Sequence, residues 1–229
     1  MPRRARLVIP CIPWHAIQRG NNRSACFFDN SDYQFYLDTL SEQAEYAGCD
    51  IHAYCLMTNH VHLLLTPKAN DSAASLMKQL GQRHVQFINR TYQRSGTLWE
   101  GRFRSCLVQN ARYTLACYRY IEMNPVRAGI VSHPAEYRWS SYRINGQGAQ
   151  LGWLVPHPEY LALGSKPEAR IDSYRNLFSN GIDPALIAEI RTATNGNYAL
   201  GNDRFKTEIE RRLQHRVTPG KPGRPSKDD

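Results

Sequence analysis

The amino-acid sequence predicts an α+β fold of the ferredoxin-like or RRM-like type, in which helices cover an antiparallel sheet. Three observations predict it. The chain has 229 residues, enough for one sizeable core and a small second unit. Apolar residues recur at strand spacing in some segments and at helix spacing in others. These segments alternate as β-α-β-β-α-β-α, and the first six match the split βαβ pattern of that fold.

The first half of the chain supplies the first five of these elements. We expect a strand within residues 7–18, a helix over 32–47, strand material over 51–66 with a break near 57–59, and a helix over 72–94. The first helix has apolar residues at helical spacing, and Gly48 is a common helix terminator. The strand material is rich in apolar and β-branched residues, which favour an extended backbone.

The second half supplies a strand over 98–109 and a helix over 111–123. Pro125 disfavours helical geometry at Asn124, so this helix is expected to end or kink there. An aromatic-rich connector and three short helices follow, at about 130–163, 168–179, 183–194 and 202–215. We therefore divide the chain into a core domain, a helical module and a basic tail expected to be disordered alone, over residues 1–163, 164–217 and 218–229.

Charge gives the first indication of function. The formal net charge is +9 and the isoelectric point is about 9.4, and such a balance favours polyanions, above all nucleic acid. The excess is mostly arginine, whose guanidinium suits phosphates and base edges. The candidate DNA-binding residues are Arg19, Asn21, Arg23, Arg83, Arg90, Arg102, Arg104, Arg204, Arg211, Arg212, Lys221 and Arg224.

Composition also bears on location. The sequence has no run of about 18 apolar residues that could span a membrane. Pro10 and Pro13 interrupt the short apolar stretch near the start, which argues against a secretory signal. The six cysteines form no C-x-x-C pair and resemble reduced cytosolic thiols. We therefore expect a cytoplasmic protein.

Two histidines in the predicted strand material suggest a metal site. His60 and His62 flank Val61, and side chains two apart on a strand point to the same face. Two adjacent imidazoles provide half of the ligands of a divalent-metal site. The alternative is a pair of half-exposed strand histidines without a partner.

The helix over 111–123 carries the residues that would complete such a site. Tyr120 and Asn124 are four apart and share a helix face. Asparagine offers an oxygen ligand, and a tyrosine can attack a phosphodiester to form a phosphotyrosine that keeps the bond energy for rejoining. Composition and spacing alone do not choose Tyr120 over Tyr118 or Tyr113.

Several separated motifs, in the right order over roughly residues 7–145, resemble those of one protein family. Asn59-His60-Val61-His62 resembles the HUH motif of the single-tyrosine transposases, in which U is a bulky hydrophobe. Residues 120–129, Tyr-Ile-Glu-Met-Asn-Pro-Val-Arg-Ala-Gly, resemble the tyrosine-helix motif of the REP-associated tyrosine transposases. Further similarity lies in residues 18–23, 98–103 and 139–142.

This resemblance implies a mechanism and a set of residue roles. Residues 1–163 would be the catalytic domain of an HUH transposase, with Tyr120 as the nucleophile and His60, His62 and Asn124 as ligands of Mg²⁺ or Mn²⁺. Relatives from insertion sequences often have glutamine at the position of Asn124, so asparagine points to the REP-associated branch. The partner would be single-stranded or hairpin DNA in the bacterial nucleoid. The protein would act as a monomer or a homodimer.

Residues beyond 163 lie outside the resemblance. The three predicted helices form either a helix-turn-helix reader of duplex DNA or a helical module that packs on the core. Lys221-Pro222-Gly223-Arg224-Pro225 resembles an AT-hook, whose Gly-Arg-Pro core lies in the narrow minor groove of A·T tracts.

Three functional hypotheses follow. The first is a metal-dependent transferase that cleaves and rejoins hairpin DNA through phosphotyrosine. The second is a non-catalytic binder of structured nucleic acid with the same fold. The third is a metal-dependent nuclease that uses water, with Tyr120 in a structural role. A covalent protein–DNA adduct would separate the first hypothesis from the other two.

Overall fold

The computed structural model describes residues 5–109, 112–179 and 181–220. Its strands are β1 (Trp14–Arg19), β2 (Cys49–Met57), β3 (His60–Pro67), β4 (Arg104–Val108) and β5 (Ala199–Leu200). Its helices are α1 (Asn30–Ala47), α2 (Ser72–Thr91), α3 (Arg112–Glu122), α4 (Asn124–Arg127), α5 (Tyr142–Asn145), α6 (Pro158–Leu161), α7 (Pro167–Asn176), α8 (Pro184–Gly196) and α9 (Asp203–Leu213). None of the helices in these ranges is both long enough and apolar enough to cross a membrane.

The sheet has the strand order β2-β3-β1-β4-β5. The pairs β2–β3, β3–β1 and β1–β4 are antiparallel. Together with the crossovers through α1 and α2, this is the arrangement expected of a ferredoxin-like domain. The predicted fold class is therefore confirmed.

Helices cover both faces of the sheet. Ile17 pairs with His62, and Gln18 pairs with Val61 on the opposite face. Gly81 of α2 approaches the Gln18 side chain, and α1 packs beside α2. Helices α3 and α8 pack on the His62 face, where α3 contacts β2 and β3 and α8 contacts β4 and β1.

Local signals set both ends of α1, which ends before Gly48 as predicted but begins at Asn30, two residues before the predicted start. The Asp29 carboxylate accepts a hydrogen bond from the first turn, and Asp32 reaches back to the Asp29 amide in a capping box. Gly48 ends the helix in the left-handed conformation, with φ of 65°. The strand material after it forms the hairpin β2–β3, because the chain turns at residues 58–59.

Two predicted strands are shorter than expected. The first begins at Trp14 rather than near residue 7, because Cys11 turns the chain with φ of +61° before Pro13. The fourth begins at Arg104 rather than near residue 98, because Gly101 has φ of +119° and cannot continue an extended strand. Helix α2 ends at Thr91 instead of residue 94, and Gln93 has φ of +50°.

The C-terminal segment contributes to the core sheet, which the sequence analysis did not anticipate. Strand β5 pairs in parallel with β4. It lies between α8 and α9, so these two helices are not joined by the three- or four-residue turn of a helix-turn-helix. The division of the chain into domains stays a prediction. Lys221 and Arg224, in the AT-hook-like tail, lie outside the described residues.

Candidate active site

The two histidines of β3 stand on the face of the sheet that α3 and α8 cover. His60 begins the strand, and its ring centroid lies 5.0 Å from that of His62. Arg19 is directly opposite His60 on β1, and Met57 is opposite it on β2. The alternation of strand side chains thus places both imidazoles together, as the sequence predicts.

A chain of hydrogen bonds fixes which nitrogen of His62 carries its proton. The Thr194 hydroxyl lies 2.8 Å from the Ile190 carbonyl, which can only accept, so Thr194 donates to it. The Thr194 oxygen can then accept from His15 Nδ1 at 2.9 Å, which leaves His15 Nε2 as an acceptor for His62 Nδ1 at 2.8 Å. The lone pair of His62 therefore resides on Nε2.

His60 is oriented by its sequence neighbour. The Asn59 amide nitrogen donates to the Arg23 carbonyl at 3.0 Å, so its oxygen Oδ1 faces His60 Nδ1 at 2.6 Å. His60 Nδ1 must donate to that oxygen, and its lone pair also resides on Nε2. A second hydrogen bond of this kind is the usual way in which proteins orient a metal-binding imidazole.

Burial keeps these imidazoles neutral, as a metal ligand must be. Desolvation lowers the pKa of His15 to about 3, with a contribution from the charge of Arg127. Desolvation, followed by the charges of Arg19 and Arg127, lowers the pKa of His60 to about 4. Desolvation and the neighbouring imidazoles and arginines hold the pKa of His62 well below its usual value.

The break after α3 sets the orientation of Asn124. Pro125 has no amide hydrogen to give to the Ile121 carbonyl one turn earlier. The side-chain nitrogen Nδ2 of Asn124 donates to the Ile121 carbonyl instead, at 3.1 Å, and also to the Tyr120 carbonyl at 3.0 Å. Because both partners are acceptors, the amide nitrogen must face them, which leaves Oδ1 free of these bonds.

The structure separates the candidate tyrosines. The Tyr120 ring packs edge-on against His62 and His15, with ring centroids 5.7 and 5.5 Å away. Tyr118 is fully buried on another face of α3, where its hydroxyl accepts a hydrogen bond from the His157 amide. Burial raises the pKa of Tyr118 far above its ordinary value. Of the three tyrosines, only Tyr120 is among the described residues that line the pocket beside the histidines.

That pocket has a volume of about 300 Å³ and contains the donors predicted for a metal. They belong to His60, His62 and Asn124. Within the described ranges, no three His, Cys, Asp or Glu side chains are grouped as a metal site. Two imidazoles and one amide oxygen nevertheless fit a divalent ion that accepts nitrogen and oxygen ligands and keeps open positions.

The predicted DNA-binding residues lie in three regions. Arg19 lines the pocket, and Asn21 and Arg23 form the exposed turn beside it. Arg102 and Arg104 line an adjoining cavity, where Arg104 donates to Asn195. The remaining described residues are exposed on α2 and α9: Arg83, which pairs with Glu42 at 2.7 Å, Arg90, Arg204, Arg211 and Arg212. Their contacts with DNA stay predictions.

Sequence reasoning missed several residues that line the pocket. His15 lies on the same face of β1 as Ile17 and Arg19. A predicted pairing of β1 with β3 could therefore have placed His15 on the face of the sheet that carries the histidines of β3. Arg127 stands inside the tyrosine-helix motif. Arg191 and Thr194 had no signal, because they come from α8 and reach the pocket only through the packing of that helix.

Comparison with known proteins supports the fold and gives a family. The sequence model of the IS200-like transposase family matches residues 11–124 of this chain. A solved structure of a REP-associated tyrosine transposase bound to a REP hairpin is similar with a TM-score of 0.57 and 19% identity, over 69% of this chain and 93% of that one. A protein from Deinococcus radiodurans R1, provisionally assigned as a transposase, has a TM-score of 0.37 and 22% identity, over 48% and 88%. No curated protein sequence matches significantly.

Proposed function

We propose, from the premise that this chain belongs to the IS200-like transposase family, that it cleaves and rejoins single-stranded DNA beside REP-type hairpins, with Tyr120 as the nucleophile. The solved relative bound to a REP hairpin supports the choice of substrate. The observation that carries the proposal is the position of the Tyr120 ring, edge-on against His62 in the pocket.

In the proposed reaction, the Tyr120 oxygen forms a bond to the scissile phosphorus. The strand oxygen on the opposite side leaves with the electron pair of the broken bond, and the phenol proton passes to water. The phosphotyrosine conserves the bond energy, so a strand hydroxyl can reverse the step without a nucleotide cofactor.

The residues around Tyr120 position the phosphate. His60 Nε2, His62 Nε2 and Asn124 Oδ1 would hold Mg²⁺ or Mn²⁺, which supplies Lewis-acid polarisation of the scissile phosphate when bound. Imidazole nitrogen is a softer donor than oxygen, so this set suits Mn²⁺ better than Mg²⁺. Arg19 and the exposed turn after it would hold the flanking strand.

The test is the covalent adduct. Labelled hairpin single strands are incubated with protein and Mn²⁺ and then separated on denaturing gels. We expect cleavage products and a protein-linked label for the wild type. Tyr120→Phe should lose both, by roughly 10³-fold or more, yet bind the hairpin.

Tyr118→Phe is the matched control from the same helix. It removes a buried acceptor from the His157 amide and should cost about 1–3 kcal/mol of stability while it keeps the chemistry. Normal cleavage by Tyr120→Phe would identify water as the nucleophile. A wild type that binds hairpins but never cuts them, with or without Mn²⁺, would favour the non-catalytic binder.

A further inference from the structure

Arg127 has an unusual environment beside the proposed nucleophile. Its guanidinium carbon lies 4.3 Å from the centre of the Tyr120 ring, and its Nη2 donates to the Tyr120 carbonyl at 2.7 Å. Its Nε and Nη1 are buried and have no hydrogen-bond partner among the described residues. One bond thus fixes the guanidinium over the ring, and its other donors remain unused.

The unpaired donors of Arg127 would be stabilised by an anion. Leaving buried donors unsatisfied costs free energy, more so when they belong to a charged group. Within the described ranges, Arg127 forms no ion pair with a carboxylate. Burial lowers the pKa of Arg127, and the positive charge of Arg191 lowers it further.

The pocket around Arg127 has the charge of an anion site. Arg19 from β1 and Arg191 from α8 line it together with Arg127, and no Asp or Glu is among the described residues that line it. Arg191 is exposed, whereas Arg127 is mostly buried. The free Nε and Nη1 donors point to different edges of the guanidinium, and each can donate to an anionic phosphate oxygen.

We propose that Arg127, with Arg191 as an outer arm, forms a phosphodiester-binding site that holds the scissile phosphate against Tyr120. The inference rests on the proposed function for the identity of that phosphate. Nε or Nη1 of Arg127 donates to a non-bridging oxygen, and Nη2 stays on the Tyr120 carbonyl. This cation also offsets the negative charge that develops on the phosphate during transfer.

The site is tested first without metal or chemistry. Thymidine 3′,5′-bisphosphate is titrated into the full chain in EDTA and followed by calorimetry. We expect saturable binding by the wild type and by Tyr120→Phe, which keeps the aromatic ring. Arg127→Lys should weaken binding by about tenfold, because a lysine ammonium is a compact point charge without the directed donors of a guanidinium.

Two further variants complete the set. Arg191 is exposed, so Arg191→Gln should fold normally. We expect this variant to weaken bisphosphate binding about threefold, because it removes a charge that solvent partly screens. Arg175→Gln removes an exposed charge of α7 that pairs with Asp172, away from the pocket, and should bind like the wild type. Wild-type affinity in both Arg127→Lys and Arg191→Gln would overturn the inference.

A purely structural role for Arg127 predicts a different result. Arg127→Lys would then melt at a lower temperature but bind bisphosphate as tightly as the wild type, which would also overturn the inference. Loss of bisphosphate binding with an unchanged melting temperature supports it. If the wild type binds bisphosphate through Arg127 yet forms no DNA adduct, the phosphate site stands and the proposed function fails.

Discussion

At the scale of single residues, backbone carbonyls decide the chemistry of the pocket. The Ile190 carbonyl fixes the direction of the bonds through Thr194 and His15 to His62. The carbonyls of Tyr120 and Ile121 turn the Asn124 amide so that its oxygen is free. A carbonyl accepts and never donates, so each of these groups can adopt only one arrangement.

The first prediction concerns Thr194. In Thr194→Val, His15 Nδ1 has no acceptor, so the His15 proton moves to Nε2. His15 Nε2 then donates to His62 Nδ1, which places the His62 proton on Nε2, the nitrogen that would bind metal. We expect Mn²⁺ affinity to fall by about 10–100-fold, the usual effect of losing such an outer partner. Titration followed by electron paramagnetic resonance measures it.

Thr192→Val is the control for this variant. Thr192 is exposed on the same helix, two residues away. If both variants bind Mn²⁺ as the wild type does, the bonds through His15 do not orient a metal ligand.

At the scale of elements, α3 joins two environments. One face presents Tyr120 to the pocket, and Glu122 on another face is completely buried. The Glu122 carboxylate accepts hydrogen bonds from Ser141, from Asn145 of α5 and from Tyr174 of α7. Glu122 therefore links α3 to the connector and to the C-terminal helices, and its charge state affects the packing of all of them.

The second prediction concerns Glu122. Desolvation raises the pKa of Glu122 to about 7 from 4.5, although its three hydrogen bonds act in the opposite direction. The folded chain then holds this proton more tightly than the unfolded chain does. The contribution of Glu122 to the free energy of unfolding is fully present below pH 4.5 and is lost as the pH rises through 7. The total loss, once Glu122 is ionised in the folded chain, is roughly 3 kcal/mol.

Thermal melts of the wild type and Glu122→Gln between pH 5 and pH 8 check this. The difference in melting temperature should shift in favour of the variant as the pH rises. Burial lowers the pKa of His52 and of His84 to about 4, and these groups destabilise both proteins alike at low pH. Their contribution cancels in the difference. A difference that is flat with pH would show that Glu122 is ionised in the fold throughout.

At the scale of the whole molecule, positive charge is distributed around the pocket rather than confined to it. Arginines from β1, the segment before β4, α8 and α9 belong to segments distant in sequence. Helix α9 exposes Arg204, Arg211 and Arg212. Such a distribution suits a folded nucleic acid that contacts several sides of the protein.

The third prediction is a steep salt dependence of hairpin binding. If about six phosphates are neutralised, the affinity should fall by on the order of 10³-fold between 50 and 200 mM salt. Fluorescence anisotropy with Tyr120→Phe measures binding without cleavage. A dissociation constant that does not change over this range would exclude binding through phosphates.

The fourth prediction concerns the tail. Val217 is buried, its carbonyl accepts a hydrogen bond from the Ala199 amide, and its amide donates to the Glu210 carboxylate. A truncation should therefore begin at Lys221 to keep the fold intact. Removal of residues 221–229 should weaken binding to hairpins flanked by A·T-rich duplex by about tenfold, equivalent to roughly 1.4 kcal/mol. G·C-flanked hairpins should lose less.

Full-length Arg224→Lys is the control, since it keeps the charge of the tail. It should reproduce most of the loss on A·T-rich DNA, because the minor-groove contact depends on the guanidinium. Equal losses on both substrates after truncation would leave the tail only a nonspecific electrostatic role.

The sequence by itself determined the local geometry of this protein. It predicted β1 to β4, the longer helices, the hairpin between β2 and β3, the common face of His60 and His62, and a break in the helix just before Pro125. Each of these depends on backbone geometry within a few residues, so spacing and residue type suffice to predict it. The errors in the bounds of β1, α2 and β4 occurred beside Cys11, Gln93 and Gly101, which adopt positive φ that composition does not reveal.

Only the tertiary structure decided which groups meet in the pocket. Helix spacing could not choose Tyr120 over Tyr118, because both faces of α3 are buried and only packing shows which face meets the histidines. The bond between His15 and Thr194 joins residues 179 positions apart, and the parallel pairing of β5 with β4 joins Leu107 to Ala199, also far along the chain. Such contacts depend on the free energy of packing the whole chain, which no local pattern records.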